Sequence, residues 1–162
     1  MRRAFVLVVA GVLVGCSSGD DPGFPGTSIP GDTVVDAEEA ALGEASYTIG
    51  LLEHVTRIQS AVLALSLAEP FLEGDLASVQ AGVDDALGEV GSALATLQAI
   101  VPPEARAEVH AALLVAVRSV QAALAAMREA AAADDEASLE AAREALAEAS
   151  DAFDDSVAAA NA

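Results

Sequence analysis

Asp75 to Glu104 reads DLASVQAGVDDALGEVGSALATLQAIVPPE. Within it Leu76, Val79, Val83, Leu87, Val90, Leu94, Leu97 and Val101 recur at alternating spacings of three and four. A half-buried strand would alternate every second residue, whereas this spacing lines one face of an α-helix. The stretch also carries its own punctuation. Asp75 follows Gly74 and offers an N-cap. At the other end Pro102-Pro103-Glu104 makes a turn: Pro103 suits a first helical position, and Glu104 suits the positive end of a helix dipole. A helix over about 75–101 is therefore predicted.

The same rule extends outward. Upstream, Leu51, Val55, Ile58, Val62 and Leu65 form one stripe, and Pro70 stops that helix, giving about 36–69. Downstream, His110, Leu113, Val117, Val120, Leu124 and Met127 share a face of a helix over about 103–132. Leu139, Leu146, Phe153 and Val157 mark a last helix over about 135–160, with Asp134-Asp135 as its N-cap and Asn161 at its end. Neither Gly nor Pro separates these last two helices, so theirs is the least marked boundary. Short connections between amphipathic segments predict an all-α fold: an antiparallel up-down bundle of about four Ala-rich helices over residues 35–162, following a flexible tether. Alanine at many seam positions favours close helix approach. "DLASV" at Asp75–Val79 and "DEASL" at Asp135–Leu139 each open the second helix of a hairpin, a faint sign of two related hairpins.

Composition agrees. Aromatic residues make up only 3% of the 162 residues and Trp is absent, which disfavours strands. The formal charge of −19 arises from 26 acidic residues against seven arginines, with no lysine. So acidic a chain repels phosphate backbones and anionic lipid headgroups, which argues against nucleic acid as a partner.

The N-terminus has a different logic. Met1-Arg2-Arg3 is a short positive segment, and Ala4 to Val14 is an uncharged apolar run of 11 residues. A membrane-spanning helix needs roughly 20, so the run matches the apolar region of a signal peptide instead. Leu13-Val14-Gly15-Cys16 follows, with the chain's single cysteine. This order resembles the lipobox of bacterial lipoproteins, and the whole arrangement is similar to small lipoproteins of GC-rich Gram-positive bacteria. The resemblance covers residues 1 to about 33. It implies a signal peptide over 1–15, recognition of Leu13, Val14 and Gly15 by signal peptidase II, and cleavage before Cys16. Cys16 would then carry a diacylglyceryl group and an N-acyl chain. Loss of Arg2 and Arg3 would take the formal charge to −21. The alternative is an ordinary secretory signal with an incidental cysteine. Ser17 to Thr33, SSGDDPGFPGTSIPGDT, is too polar and too rich in Gly and Pro to fold, so residues 16–34 are expected to form the tether. The 17 residues from Ser17 to Thr33 span roughly 20–25 Å as a coil.

Candidate chemistry is sparse. His54 lies beside the first stripe near Tyr47, and His110 lies within the third. Both fall toward the Pro102 end of an up-down bundle, where Glu53 or Glu108 would complete a shared metal or small-ligand site. Yet neither histidine has the Glu three residues before it that bundle metal sites use, so a satisfied interhelical histidine is the competing reading. Gly43 and Gly50 on the first helix, and Gly82, Gly88 and Gly91 on the second, mark either close helix contacts or a groove beside His54. Acidic groups at Glu38-Glu39, Asp84-Asp85, Asp134-Asp135-Glu136 and Asp154-Asp155 lack the alternating oxygen ligands of an EF-hand. No nucleophile elbow, phosphate loop or H-E-x-x-H is present, so no enzyme and no cofactor beyond the lipid on Cys16 are expected. The expected role is binding or spacing at the outer face of the cell membrane, or of the outer membrane in a diderm host. The expected partners are the membrane, through the anchor, and another envelope protein.

Overall fold

In a computed structural model, which describes residues 32–68 and 75–161, four helices follow one another: α1 Asp32–Ala68, α2 Leu76–Ala99, α3 Ala107–Ala132 and α4 Glu136–Ala160. No strand occurs among the described residues. The lipobox residues Leu13, Val14 and Gly15, together with Cys16, lie outside them. Asp32 onward makes one compact unit. Neighbouring helices run antiparallel. Gly50 lies level with Ile100 and Gly82 with Leu65, His110 reaches Leu97 while Arg128 meets Asp84, and Arg106 reaches Ala160.

The predicted stripes form the core. Leu51, Val55, Ile58 and Leu65 of α1 meet Val79, Val83, Val90, Leu94 and Leu97 of α2. Leu113, Val117, Val120, Leu124 and Met127 of α3 meet Leu139, Leu146 and Phe153 of α4. Alanine sets the spacing of the second hairpin. Ala116, Ala123 and Ala130 recur every seven residues on α3 and face inward, as do Ala142 and Ala149 on α4. Small side chains at one point per two turns let the backbones approach, and α3–α4 is the most extensively packed pair, followed by α2–α3 and then α1–α2. By length and composition alone, Glu104–Ala132 is apolar enough to cross a membrane. Its apolar stripe instead supplies much of the bundle core.

Helix ends depart from the expected boundaries for local reasons. α1 starts at Asp32, a turn before the expected Asp36. α2 ends at Ala99, and Pro102 disfavours the α region for Val101, so the helix does not resume before the turn. Ile100 is extended (φ −73°, ψ 128°), and Val101, expected on the core stripe, is 89% exposed. Pro103 opens a 3₁₀ turn, Glu104–Arg106, ahead of α3. At its far end α4 is closed by Asn161, whose side-chain amide donates to the Val157 carbonyl at 3.0 Å.

The two sequence-alike helix starts have matching caps. Oδ1 of Asp75 accepts the Ser78 backbone N–H at 3.2 Å, and Oδ2 accepts the Ser78 hydroxyl at 2.6 Å. Asp135 binds Ser138 the same way, at 3.1 and 2.7 Å. The hydrogen bonds from Ser78 and Ser138 hold both carboxyls below the usual aspartate range. Between α3 and α4 the break that no Gly or Pro signals is made by Asp134, which adopts a left-handed φ of 56°. Asp135 N–H reaches back to the Ala130 carbonyl at 3.0 Å and Asp134 N–H to that of Ala131 at 3.3 Å. This is a Schellman closure with aspartate where glycine is usual. The interior glycines are not forced by crowding: a Cβ at Gly88 or Gly43 meets nothing within 4 Å, and one at Gly82 would touch the flexible Leu65 Cδ1 at 3.4 Å.

Asp134→Gly should stabilise the bundle by about 0.5–1 kcal/mol in urea unfolding, since glycine adopts that φ without a Cβ clash. The two capping carboxylates have lowered native pKa values. Their contribution is therefore complete above the unfolded aspartate value of about 3.9 and is lost as pH falls through the native value. The thermal stability gap between the wild type and Asp75→Asn/Asp135→Asn should be present at pH 6 and should narrow as the pH is lowered below the unfolded aspartate value of about 3.9.

Candidate functional site

The Pro102 end of the bundle gathers most of the polar side chains that are not simply solvated. Tyr47, about four turns into α1, is the first buried residue of that helix among those whose side chains are described. Its hydroxyl lies 3.2 Å from Nδ1 of His110 on α3, and the two rings meet edge to face with centroids 5.7 Å apart. Nε2 of His110 lies 3.1 Å from the carbonyl oxygen of Leu97, near the end of α2. A carbonyl only accepts, so Nε2 carries a proton and donates to Leu97, and in the corresponding imidazole tautomer Nδ1 accepts the Tyr47 O–H. One buried imidazole thus joins α1, α2 and α3. Burial pushes the Tyr47 phenol above its ordinary range, and the Arg106 cation works in the opposite direction.

Arg106, half-buried in the 3₁₀ turn, holds the same end from outside. Its Nε lies 3.7 Å from Glu44 Oε1 on α1, and its Nη1 donates to the Ala160 carbonyl at 3.3 Å. α4 has no basic residue in its last turn, so Arg106 supplies the cation that the negative end of its dipole favours.

His54 stands apart. It is 9% exposed, and its buried Nδ1 has no hydrogen-bond partner among the described residues. The expected acidic partners are placed elsewhere: Glu53 is exposed and pairs with Arg57 at 3.4 Å, and Glu108 lines a shallow groove with Asp155 and Ser156. The structure brings Tyr47, not His54, to His110. Both nitrogens of His110 are committed, so the histidine pair offers a metal only the His54 lone pair without breaking a hydrogen bond. No group of three or more His, Cys, Asp or Glu that could hold a metal ion occurs among the described residues. The acidic groups have separate roles: Asp84 faces Arg128 at 4.0 Å, Asp135 caps α4, and Asp154 accepts from Gln59 across the α1–α4 gap at 3.1 Å.

A second feature lies on the outside of α1. Leu42, Ile49, Leu52, Leu63 and Leu67 are 56–71% exposed. At 100° per residue they fall within one sector, opposite the core stripe of the same helix. Reading α1 for a single apolar face overlooks them, yet their three-, four- and seven-residue spacings are plain in the sequence. Residues 41–67 carry only Glu44, Glu53 and Arg57 as charged groups, whereas α4 carries seven acids and one arginine. The molecule thus has a nearly neutral apolar side and a strongly acidic one.

Comparison with known protein families, curated proteins and solved structures finds no match.

The two histidines should separate in stability measurements. His110→Leu strands the buried Tyr47 hydroxyl and should cost about 2 kcal/mol in urea unfolding. His54→Leu removes a buried nitrogen that has no partner and should be neutral or stabilising by about 1 kcal/mol. Equal losses would show that His54 is held by a bond outside the described residues.

Proposed function

We propose that this chain is a lipid-anchored, extracytoplasmic interaction module. Acyl chains on Cys16 hold an acidic four-helix bundle at the outer face of the cell membrane, and the bundle acts by binding or spacing an envelope protein. The observation that carries the binding half is the second apolar stripe of α1. Single exposed leucines are ordinary on a protein surface, but five large aliphatic side chains on one helix face approach the largest apolar patches that monomers expose, which are often binding sites. The anchor half rests on Arg2-Arg3, the 11-residue apolar run and Leu13-Val14-Gly15-Cys16. Two or more acyl chains suffice for stable attachment, because each buried CH₂ contributes about 0.8 kcal/mol. An acidic bundle is itself repelled from anionic headgroups, so the anchor and tether would hold close to the surface a body that does not adsorb to it.

The anchor is tested by growing cells that express the full chain with an alkyne-tagged fatty acid. The label should enter the protein and sediment with membranes. Cys16→Ala should lose the label, and an inhibitor of signal peptidase II should accumulate the uncleaved precursor. Membrane retention of an unlabelled Cys16→Ala chain would overturn the anchor.

A further inference from the structure

We propose that the outer stripe of α1 is a self-association surface, on which two copies of this chain pack α1 against α1 in antiparallel orientation. This names the partner of the interaction module and rests on that reading of the stripe, not on the anchor.

The spacing fits a helix–helix seam. Leu42, Ile49 and Leu63 fall on multiples of seven, Leu52 follows Ile49 by three, and Ala45 and Thr56 occupy seam positions with small side chains. This is part of the a/d pattern of a coiled coil, with the later d positions held by Ser66 and by Gln59, which bonds Asp154 of α4, on a helix whose opposite face is already buried in its own bundle. Charge selects the partner. Two copies of a chain of formal charge −19 repel through most of their surfaces. They repel least where α1 faces α1, since each contributes only two acids and one arginine between residues 41 and 67.

Orientation follows from symmetry. Glu53 and Arg57 border the stripe on the same side, where Arg57 lies between Glu53 and Glu89 of its own chain at 3.4 and 3.8 Å and would share its charge with a partner, and in an antiparallel pair same-side borders meet. A two-fold axis near residues 54–55 therefore brings Glu53 of each copy to Arg57 of its partner, twice over. The same axis sets Leu63 of one copy against Ala45 of the other and Leu52 against Thr56, large against small. A parallel pair would stack like on like at every level. Area is adequate: the five side chains expose on the order of 500 Å² per copy, and flanking residues bring this toward the roughly 800 Å² per partner of a standard interface. A lipid surface is the weaker fit, because Arg57 is the one base beside the stripe to attract headgroups.

Residues 32–162 contain the whole described core, so they can be studied alone. In sedimentation velocity they should form a dimer at micromolar concentration. Leu52→Glu/Leu63→Glu should weaken it at least about 100-fold with unchanged helicity, as expected for central apolar positions. As an independent check, Thr56→Cys provides the segment's single thiol and should yield a covalent dimer with a short bismaleimide, whereas Asp151→Cys on the acidic face should not. A helical monomer at all concentrations with no cross-link overturns the proposal. So does a monomer whose stripe binds phosphatidylcholine vesicles, an outcome that would assign the surface to lipid. A monomer leaves the Cys16 anchor standing, while an unlabelled, soluble chain that still dimerises overturns the anchor alone.

Discussion

Alanine at seven-residue intervals is the constraint on which this bundle depends. Ala116, Ala123 and Ala130 on α3 are buried, as are Ala142 and Ala149 on α4. The hairpin therefore closes at short range, and Leu139, Leu146 and Phe153 fill the layers between. A chain with so few aromatic residues has little bulk with which to fill a wide core, so the helices must come close for dispersion contacts to be made. The cost is modest burial per residue, and it falls unevenly. α1 packs chiefly on α2, with polar links to α3, to α4 and to the turn before α3. It is the element whose detachment breaks the fewest contacts.

That weakness explains the concentration of directed bonds at the Pro102 end. Apolar stripes fix which faces meet but leave helices able to slide by a turn, since leucine against valine differs little from leucine against leucine. The Tyr47–His110–Leu97 arrangement differs because it has one satisfactory register, in which both imidazole nitrogens and the phenol are paired. Arg106 adds a second constraint by joining Glu44 to the end of α4. Core and polar end thus divide the work between cohesion and alignment.

Much of this was legible in the sequence, and the divisions are physical. Stripes and caps are local: Asp75 binds Ser78 three residues on, so the cap is readable from the stretch that holds it. The apolar periodicity of α2 continues through Val101, which is exposed, because the backbone restriction imposed by Pro102 does not show in a pattern of apolar residues. Asp134 was equally opaque, since a left-handed aspartate follows from the closure around it and not from its own preference. The His110–Tyr47 bond spans 63 residues and depends on the relative height of two helices, which spacing within one helix does not give. In the same way His110 meets Tyr47 and Leu97, while Glu53 pairs with Arg57 and Glu108 lies beside Asp155. The outer stripe of α1 is different again: its residues are in plain view, and it was hidden only by seeking one apolar face per helix.

The Tyr47–His110 contact has an optical consequence. With one tyrosine and no tryptophan, the protein has a single useful intrinsic fluorophore, and that ring sits where α1 meets α3. Its emission and near-ultraviolet dichroism therefore report on one joint of the bundle, not on an average over the molecule. Far-ultraviolet dichroism, dominated by the helices, sees the rest. The two signals will coincide when the bundle melts as one body and will part company when α1 lifts away first, so the chain carries a built-in test of its own cooperativity.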